Sequence, residues 1–241
     1  MTALLRTYAD RLCALVDAIV RDEAESIAAA AALVAGQLRR DRLVHVHGPG
    51  GHSALAVQDV FYRAGCPVLI APVTDPGTSL LGGALNSTAT ERLDGRGAMA
   101  VEGLVEGDLL IVVNAFGVNA ASVGAARSAR ERGVRVIAVS SRTAAADLPA
   151  DHPARAGELP SHADVHIDTH VPPGDVVLEV APGVEMGGVS TALNSFVLHA
   201  VLAAAVEQAP GTTVWRSSYT EGGDAHNARA AEQVRGRVPQ L

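Results

Sequence analysis

Aromatic residues make up only 3% of this 241-residue chain, with one tryptophan and three each of phenylalanine and tyrosine. The scarcity removes the stacking platforms on which single-stranded nucleic acid is held. No run of Lys or Arg is present and the formal net charge is −7. Nucleic acid and anionic membrane surfaces are therefore not the expected partners. Cysteine is nearly absent. Cys13 and Cys66 are far apart, and neither a CxxC pair nor a Cys/His pattern with zinc spacing occurs. That usage fits a reducing cytoplasm, and no metal is expected. Long hydrophobic runs are lacking too. The longest, residues 27–35 and 196–206, are too short to cross a bilayer, and the second contains His199. The opening MTALLRTYADRL is interrupted by Arg6, Asp10 and Arg11 and does not read as a secretory signal.

What the chain has is apolar content of 48%, mostly Ala, Val and Leu, enough for a sizeable core of helices packed on a parallel sheet. Residues 4–40 carry apolar side chains at helical spacing and predict one long helix or two consecutive ones. Strands are expected at 43–47, 66–73, 108–114, 134–140 and 163–168, with a shorter one at 176–180. Helices are expected at 53–65, 120–132 and 190–208, and short ones between 82 and 96, within 141–161 and at 228–234. The run DLLIVVN (residues 108–114) is continuously apolar, as a strand covered on both faces requires. Strands alternating with helices imply an α/β fold with a doubly wound parallel sheet. Ligands of such sheets sit beyond the carboxyl ends of the strands where the strand order reverses. We read one domain over residues 1–241, with a helical N-terminal arm (1–40), an α/β core (43–208) and a C-terminal tail (210–241) covering a site.

Three strand exits carry suitable residues: 48–53, 114–119 and 140–143. The first, Gly-Pro-Gly-Gly-His-Ser, joins a strand to a helix start, and so gathers backbone N–H groups where an anion would sit. Gly50, Gly51 and Ser53 are candidate anion contacts there, although Ser53 is equally a favoured helix N-cap. His52 beside them could move a proton. The glycines lack the GxGxxG spacing of a dinucleotide turn. His45 and His47 share one face of the strand and read first as buried, hydrogen-bonded core residues. His166, Asp168 and His170 alternate in a way that invites a metal reading, but a polar edge strand is preferred.

The stretches Gly-His-Ser with VQDVFYRAG, LNSTATERLDG, GDLLIVVNAFGVNA, ERGVRVIAVSS, ADVHID, PPGD, VSTALNSFVLHA, EGGDAHN and GRVPQL resemble the sugar isomerase (SIS) domain family. Within it they are similar to phosphoheptose-isomerase-like proteins, and more closely to a bacterial subgroup of about this length, the UPF0309 type. The resemblance covers nearly the whole chain. It implies a flavodoxin-like five-stranded parallel sheet, a homodimer or homotetramer with sites near subunit boundaries, and sugar phosphates as ligands. Related members isomerise aldose and ketose phosphates, cleave or deaminate phosphosugars, or only sense them, so the fold does not fix the reaction. One departure stands out. Where relatives have hydroxyls in a pattern like S-x-S-G-x-T, this chain has Asn114-Ala-Phe-Gly-Val-Asn119. Asn114, Gly117 and Asn119 then supply amides and N–H groups, and Ser140 and Ser141 join Ser53 as expected substrate contacts.

Glu91, in STATERLDG, is the expected enediol base, because that step needs a carboxylate of raised pKa. A surface pair with Arg92 is the plainer alternative. Glu185 is a second carboxylate candidate, and His199 matches a functional helix position in some relatives. Asp224, His226 and Asn227 cluster on the Gly-rich tail, where Asp224 could orient His226 as a proton shuttle. The expected function is an aldose–ketose isomerase of a sugar phosphate with catalytic Glu91, His52, His226 and Asp224 and no organic cofactor. The alternatives are a phosphosugar sensor without turnover, or a lyase, deaminase or etherase.

Overall fold

The computed structural model describes residues 2–241; Met1, which opens the expected N-terminal arm, lies outside the described residues. Five strands form the central sheet: β1 (Val44–His47), β2 (Ile70–Val73), β3 (Leu109–Val113), β4 (Arg135–Ser140) and β5 (Val165–Asp168). All pair in parallel, in the order β2-β1-β3-β4-β5. This is the flavodoxin-like order, whose switch point lies between β1 and β3. Every residue of β3 is buried, which explains its unbroken apolar run.

Alternate residues of the strands feed two cores, as the strand period requires. Leu109, Ile111, Val113, Ile137 and Val139 face one core with α2 (Ala24–Leu38), α3 (Ser53–Val60) and α8 (Ser190–Gln208). Leu110, Val112, Val136 and Ala138 face the other, against α6 (Ala120–Glu131). By length and composition α8 is apolar enough to cross a membrane. Its Leu193, Val197, Leu198, Val201 and Leu202 are instead buried where it packs on α2 and α3.

The N-terminal region divides at Glu23 into α1 (Thr2–Asp22) and α2. Only α1 is an arm. Ala30, Ala31, Val34 and Ala35 of α2 are fully buried, their small side chains letting α2 close on α8. Tyr8 of α1 donates from its hydroxyl to the Gly188 carbonyl at 2.9 Å, on an antiparallel hairpin of β6 (Val176–Ala181) and β7 (Val184–Gly188). β7 has no counterpart in the sequence reading, because its exposed VEMGG carries neither alternation nor β-branched runs.

The tail packs on the flank of α3 and the segment before β2. Val214 bridges Pro67, Trp215 is buried against Tyr62 with ring centroids 4.6 Å apart, and α9 (Gly223–Val234) buries Ala230 and Val234. α9 starts earlier than the expected 228–234.

The remaining helices are α4 (Ala84–Thr90), α5 (Arg96–Ala100) and α7 (Arg142–Asp147). α5 lies on α6 so closely that a Cβ on Gly97 would overlap the Ala121 carbonyl and the Ala125 amide. Both obstacles are helix backbone and cannot yield. Replacing Gly97→Ala should therefore cost about 2 kcal/mol or more, read as a lowered urea midpoint at unchanged m.

Candidate functional site

β1 and β3 send their carboxyl-end loops to the switch point, and between the loops lies a cavity of about 310 Å³. The β1 loop contributes Gly50, Gly51, His52 and Ser53; the β3 loop contributes Asn114, Ala115, Phe116, Val118 and Asn119. Glu91 and Arg92 enter from the end of α4. The N–H groups of Gly51, His52 and Ser53 make no hydrogen bond within the protein, and α3 starts at Ser53. Orphan N–H groups with a helix N-terminus behind them form an anion-binding corner. The Ser53 hydroxyl also has no partner in the protein, and His52 is exposed at the rim. Gly50 adopts a φ of +126°, and a Cβ there would lie 2.9 Å from Glu91 Oε2. Glycine lets the loop pass beside the carboxylate without touching it.

Glu91 is half-buried, and burial pushes its pKa above the usual carboxylate value of 4.5. Three influences oppose that rise without cancelling it: a hydrogen bond from Asn119 Nδ2 to Oε2 at 2.8 Å, and the charges of Arg92 and His52. The alternative of a surface Glu91–Arg92 ion pair is not what forms; no ion pair joins the two side chains. The Glu91 carbonyl accepts from Ala121 N at 3.0 Å, so its main chain is fixed to the first turn of α6.

The two loop asparagines do different work from the expected one. Asn114 Nδ2 donates to the Pro49 carbonyl at 2.9 Å and its Oδ1 accepts from Gly117 N at 2.8 Å, which ties the β1 loop to the β3 loop. Asn119 Oδ1 caps α6 through Ser122 N and Ser122 Oγ, at 2.9 and 2.6 Å, while its Nδ2 serves Glu91. Both amides line the cavity, yet both are spent on the framework. Gly117, Ser140 and Ser141 lie outside the cavity lining. Ser140 Oγ meets His166 Nε2 at 3.0 Å, and Ser141 Oγ donates to the Val171 carbonyl and caps α7. The β4 exit is thus a structural corner rather than a third wall.

Asp224 and His226 are also outside the cavity of their own chain. His226 Nε2 donates to the Val214 carbonyl at 2.8 Å, Asn227 brackets the backbone of Arg216, and Asp224 is exposed. These polar groups fasten the tail to α9. Glu185 is exposed on β7. His47 is a core histidine, its Nδ1–H on the Val73 carbonyl at 2.9 Å, and His45 is half-buried. Asp168 accepts from Arg142 N and His170 N, consistent with a polar strand end. His199 stands apart, with Nε2 at 3.1 Å from Asp59 and Nδ1 at 3.8 Å from Cys66. Burial lifts that thiol to about 11 and leaves it protonated.

The sequence reading passed over several lining residues, among them Leu148, His152, Asp175 and Ser190. Asp175, at a φ of +64°, accepts from Val189 N, Ser190 N and Ser190 Oγ and so closes the start of α8. The sequence carried no clear signal for this role, because Asp175 stands directly before β6 and reaches α8 only across the hairpin. His152 lies in a Pro-rich loop that gave none.

A flavodoxin-like sheet with a glycine-rich turn and a half-buried carboxylate at its switch point defines the class. A sequence model of the SIS domain matches residues 7–141, more than half of the chain, and the chain belongs to the SIS-domain family. It is 34% identical over 247 residues to a UPF0309 protein of Brucella canis, covering 100% of both chains. It is 36% identical over 242 residues to a UPF0309 protein of Streptomyces griseus, covering 96% of this chain and 95% of that one. Among solved structures it is similar to phosphoheptose isomerase GmhA from Neisseria gonorrhoeae, with a TM-score of 0.56 at 17% identity over 84% of this chain and 97% of that one. It is also similar to the Vibrio vulnificus NanR protein complexed with ManNAc-6P, with a TM-score of 0.52 at 14% identity over 99% and 69% of the two chains.

Asn119→Asp separates the two duties of Asn119. The α6 cap survives, because a carboxylate accepts from Ser122 as the amide does. The donor to Glu91 becomes a like charge, so Glu91 should titrate at higher pH than in the wild type, seen by carboxyl ¹³C NMR. An unchanged Glu91 titration would show that the 2.8 Å bond is not formed in solution.

Proposed function

We propose that the cavity binds a sugar phosphate and that the chain is an aldose–ketose isomerase. The observation that carries this reading is Glu91: a half-buried carboxylate of raised pKa, in one cavity with three unpartnered N–H groups. The N–H groups of Gly51, His52 and Ser53 and the Ser53 hydroxyl hold the phosphate. Glu91 takes the proton from C2, the C–H electrons form the C1=C2 bond, and the carbonyl pair moves onto O1. Glu91 then returns the proton to C1 while the O2 proton passes to O1, which gives the ketose. His52, at the rim beside Glu91, assists ring opening. The chemistry needs no organic cofactor. The chain contains no lysine, so no side-chain amine is present to form an imine with the sugar, and the enediol route is the one its residues can run. The working unit is a cytoplasmic homodimer or homotetramer of single-domain chains, without nucleic-acid or membrane partners. The exposed Leu4, Leu5 and Val20 of α1 suit contact with a second copy. Asp224 and His226 take part only if a neighbouring subunit brings them to the cavity.

A sensor without turnover is the second reading. The spent amides of Asn114 and Asn119 favour it, since the β3 loop then offers the ligand no free side-chain amide. Incubation with a panel of sugar phosphates in D2O separates the readings by NMR. Deuterium at C1 or C2 with an isomeric product supports the isomerase. Exchange with release of ammonia or another leaving group indicates a lyase, deaminase or etherase. Binding without exchange indicates the sensor.

Glu91→Gln should lower the exchange rate by about 10²–10⁴-fold. The wild-type rate should fall on the acid side through a pKa above 4.5, because Glu91 acts as carboxylate. Stability moves the other way. A folded pKa raised above the unfolded one means that ionisation destabilises the fold as pH rises. Glu91→Gln should therefore melt at or above the wild type at pH 7, with the gain gone below pH 4.5.

A further inference from the structure

His152 lines the same cavity as Glu91 but comes from the segment between α7 and β5. Its ring is oriented by the backbone: Ala154 N–H donates to Nδ1 at 3.1 Å. A nitrogen that accepts a hydrogen bond carries no proton, so the neutral ring must carry its proton on Nε2. Among the described residues no hydrogen bond reaches Nε2. The segment that carries the ring is rigidly tied. Arg155 donates to the carbonyls of Ala145 and Leu148, at 2.7 and 3.2 Å, and pairs with Glu158 at 2.9 Å. Ala156 N and Leu159 N donate to the Val118 and Gly117 carbonyls, at 2.8 and 2.7 Å. His152 is thereby fixed to the β3 loop, whose Asn119 also positions Glu91.

Several other polar groups of the cavity are committed: Asp175 to the start of α8, and Asn114 and Asn119 to the framework. Ser53, Arg92 and the exposed His52 also line the cavity. We infer that His152 is a ligand-contacting residue whose Nε2–H donates to the carbonyl or ring oxygen of a bound sugar phosphate. The inference deepens the sugar-phosphate reading and rests on it. Nε2 keeps its proton throughout. It shares a hydrogen bond with O1 as the carbonyl pair moves onto that oxygen, and the proton count is the one already given for Glu91. A preorganised donor of this kind acts on the charge that develops in the reaction rather than on the substrate at rest.

The test begins with the free chain labelled with ¹⁵N-histidine. Long-range ¹H–¹⁵N correlation should show His152 with Nε2 protonated and Nδ1 bare; a bare Nε2 overturns the inference whatever the ligand. Saturation with arabinose 5-phosphate, glucose 6-phosphate or N-acetylmannosamine 6-phosphate, whichever binds, should shift the Nε2–H resonance. An unmoved Nε2–H in a saturated chain overturns the inference. His152→Ala should lower kcat for exchange by about 10²-fold with a smaller change in KM. His152→Gln, which retains an N–H donor, should recover part of the loss. Wild-type exchange rates in a folded His152→Ala overturn the His152 contact while leaving the isomerase standing. Binding with an Nε2–H shift but no exchange removes the isomerase and upholds the contact.

Discussion

Asn119 joins the two requirements of the site in one side chain. Its oxygen accepts from the Ser122 N–H and hydroxyl at the start of α6, and its nitrogen holds the Glu91 carboxylate at 2.8 Å. Removing the oxygen would fray the helix that packs under the sheet; removing the nitrogen would leave a half-buried carboxylate without a donor. The surrounding structure is arranged about that constraint. Gly50 leaves the space into which Glu91 projects, Ala121 N fixes the Glu91 backbone, and Gly97 lets α5 sit close on α6. Asn114 performs the matching task at the other end of the β3 loop, holding the β1 loop to it through Pro49.

The same arrangement accounts for the missing hydroxyls of the β3 loop. A serine or threonine there would have one short arm to give to an anion. An asparagine has a donor and an acceptor on a longer arm and can bridge two backbone segments. In this chain both asparagines bridge. In the reading proposed above, an anion is then met by the backbone N–H groups at the head of α3, with the helix's partial positive charge behind them, and by the Ser53 hydroxyl.

Much of the fold was legible because burial writes itself into sequence. β3 is apolar throughout because it is covered on both faces, and α8 carries a long apolar stretch because one face packs on α2 and α3; both emerged close to their expected limits. The hairpin strand β7 was not legible, because exposed Gly-rich segments have no period. Alanines at helical spacing look alike on a surface and in a tight interface, so the sequence does not separate α2, buried against α8, from α1. Within the site, Glu91 stood out as a carboxylate among small residues, and Gly50, Gly51, His52 and Ser53 as a turn into a helix. What could not be read was pairing across distance. Nothing in the sequence says that Asn119 reaches a residue in another loop, or that His152, between Asp151 and Pro153, is carried to the switch point by Arg155. The polar tail shows the same limit: Asp224, His226 and Asn227 look like chemistry, and within their own chain His226 and Asn227 hold backbone groups, Asn227 being buried along with Ala230 and Val234 of α9.

The direction of the Glu91 shift bears on how the site would behave when filled. Three groups favour its charged form, yet burial outweighs them in the open cavity. A ligand occupying about 310 Å³ between the loops displaces the water that still solvates the carboxylate. Desolvation then grows, while the Asn119 bond is already made and cannot strengthen much in compensation. A phosphate at the head of α3 adds a like charge, which disfavours the carboxylate further. On the proposed reading, occupancy would therefore raise the proton affinity of Glu91 in the complex above that in the free chain. Glu91 would then be the strongest base when a C–H bond is in front of it, its direction fixed by the hydrogen bond from Asn119.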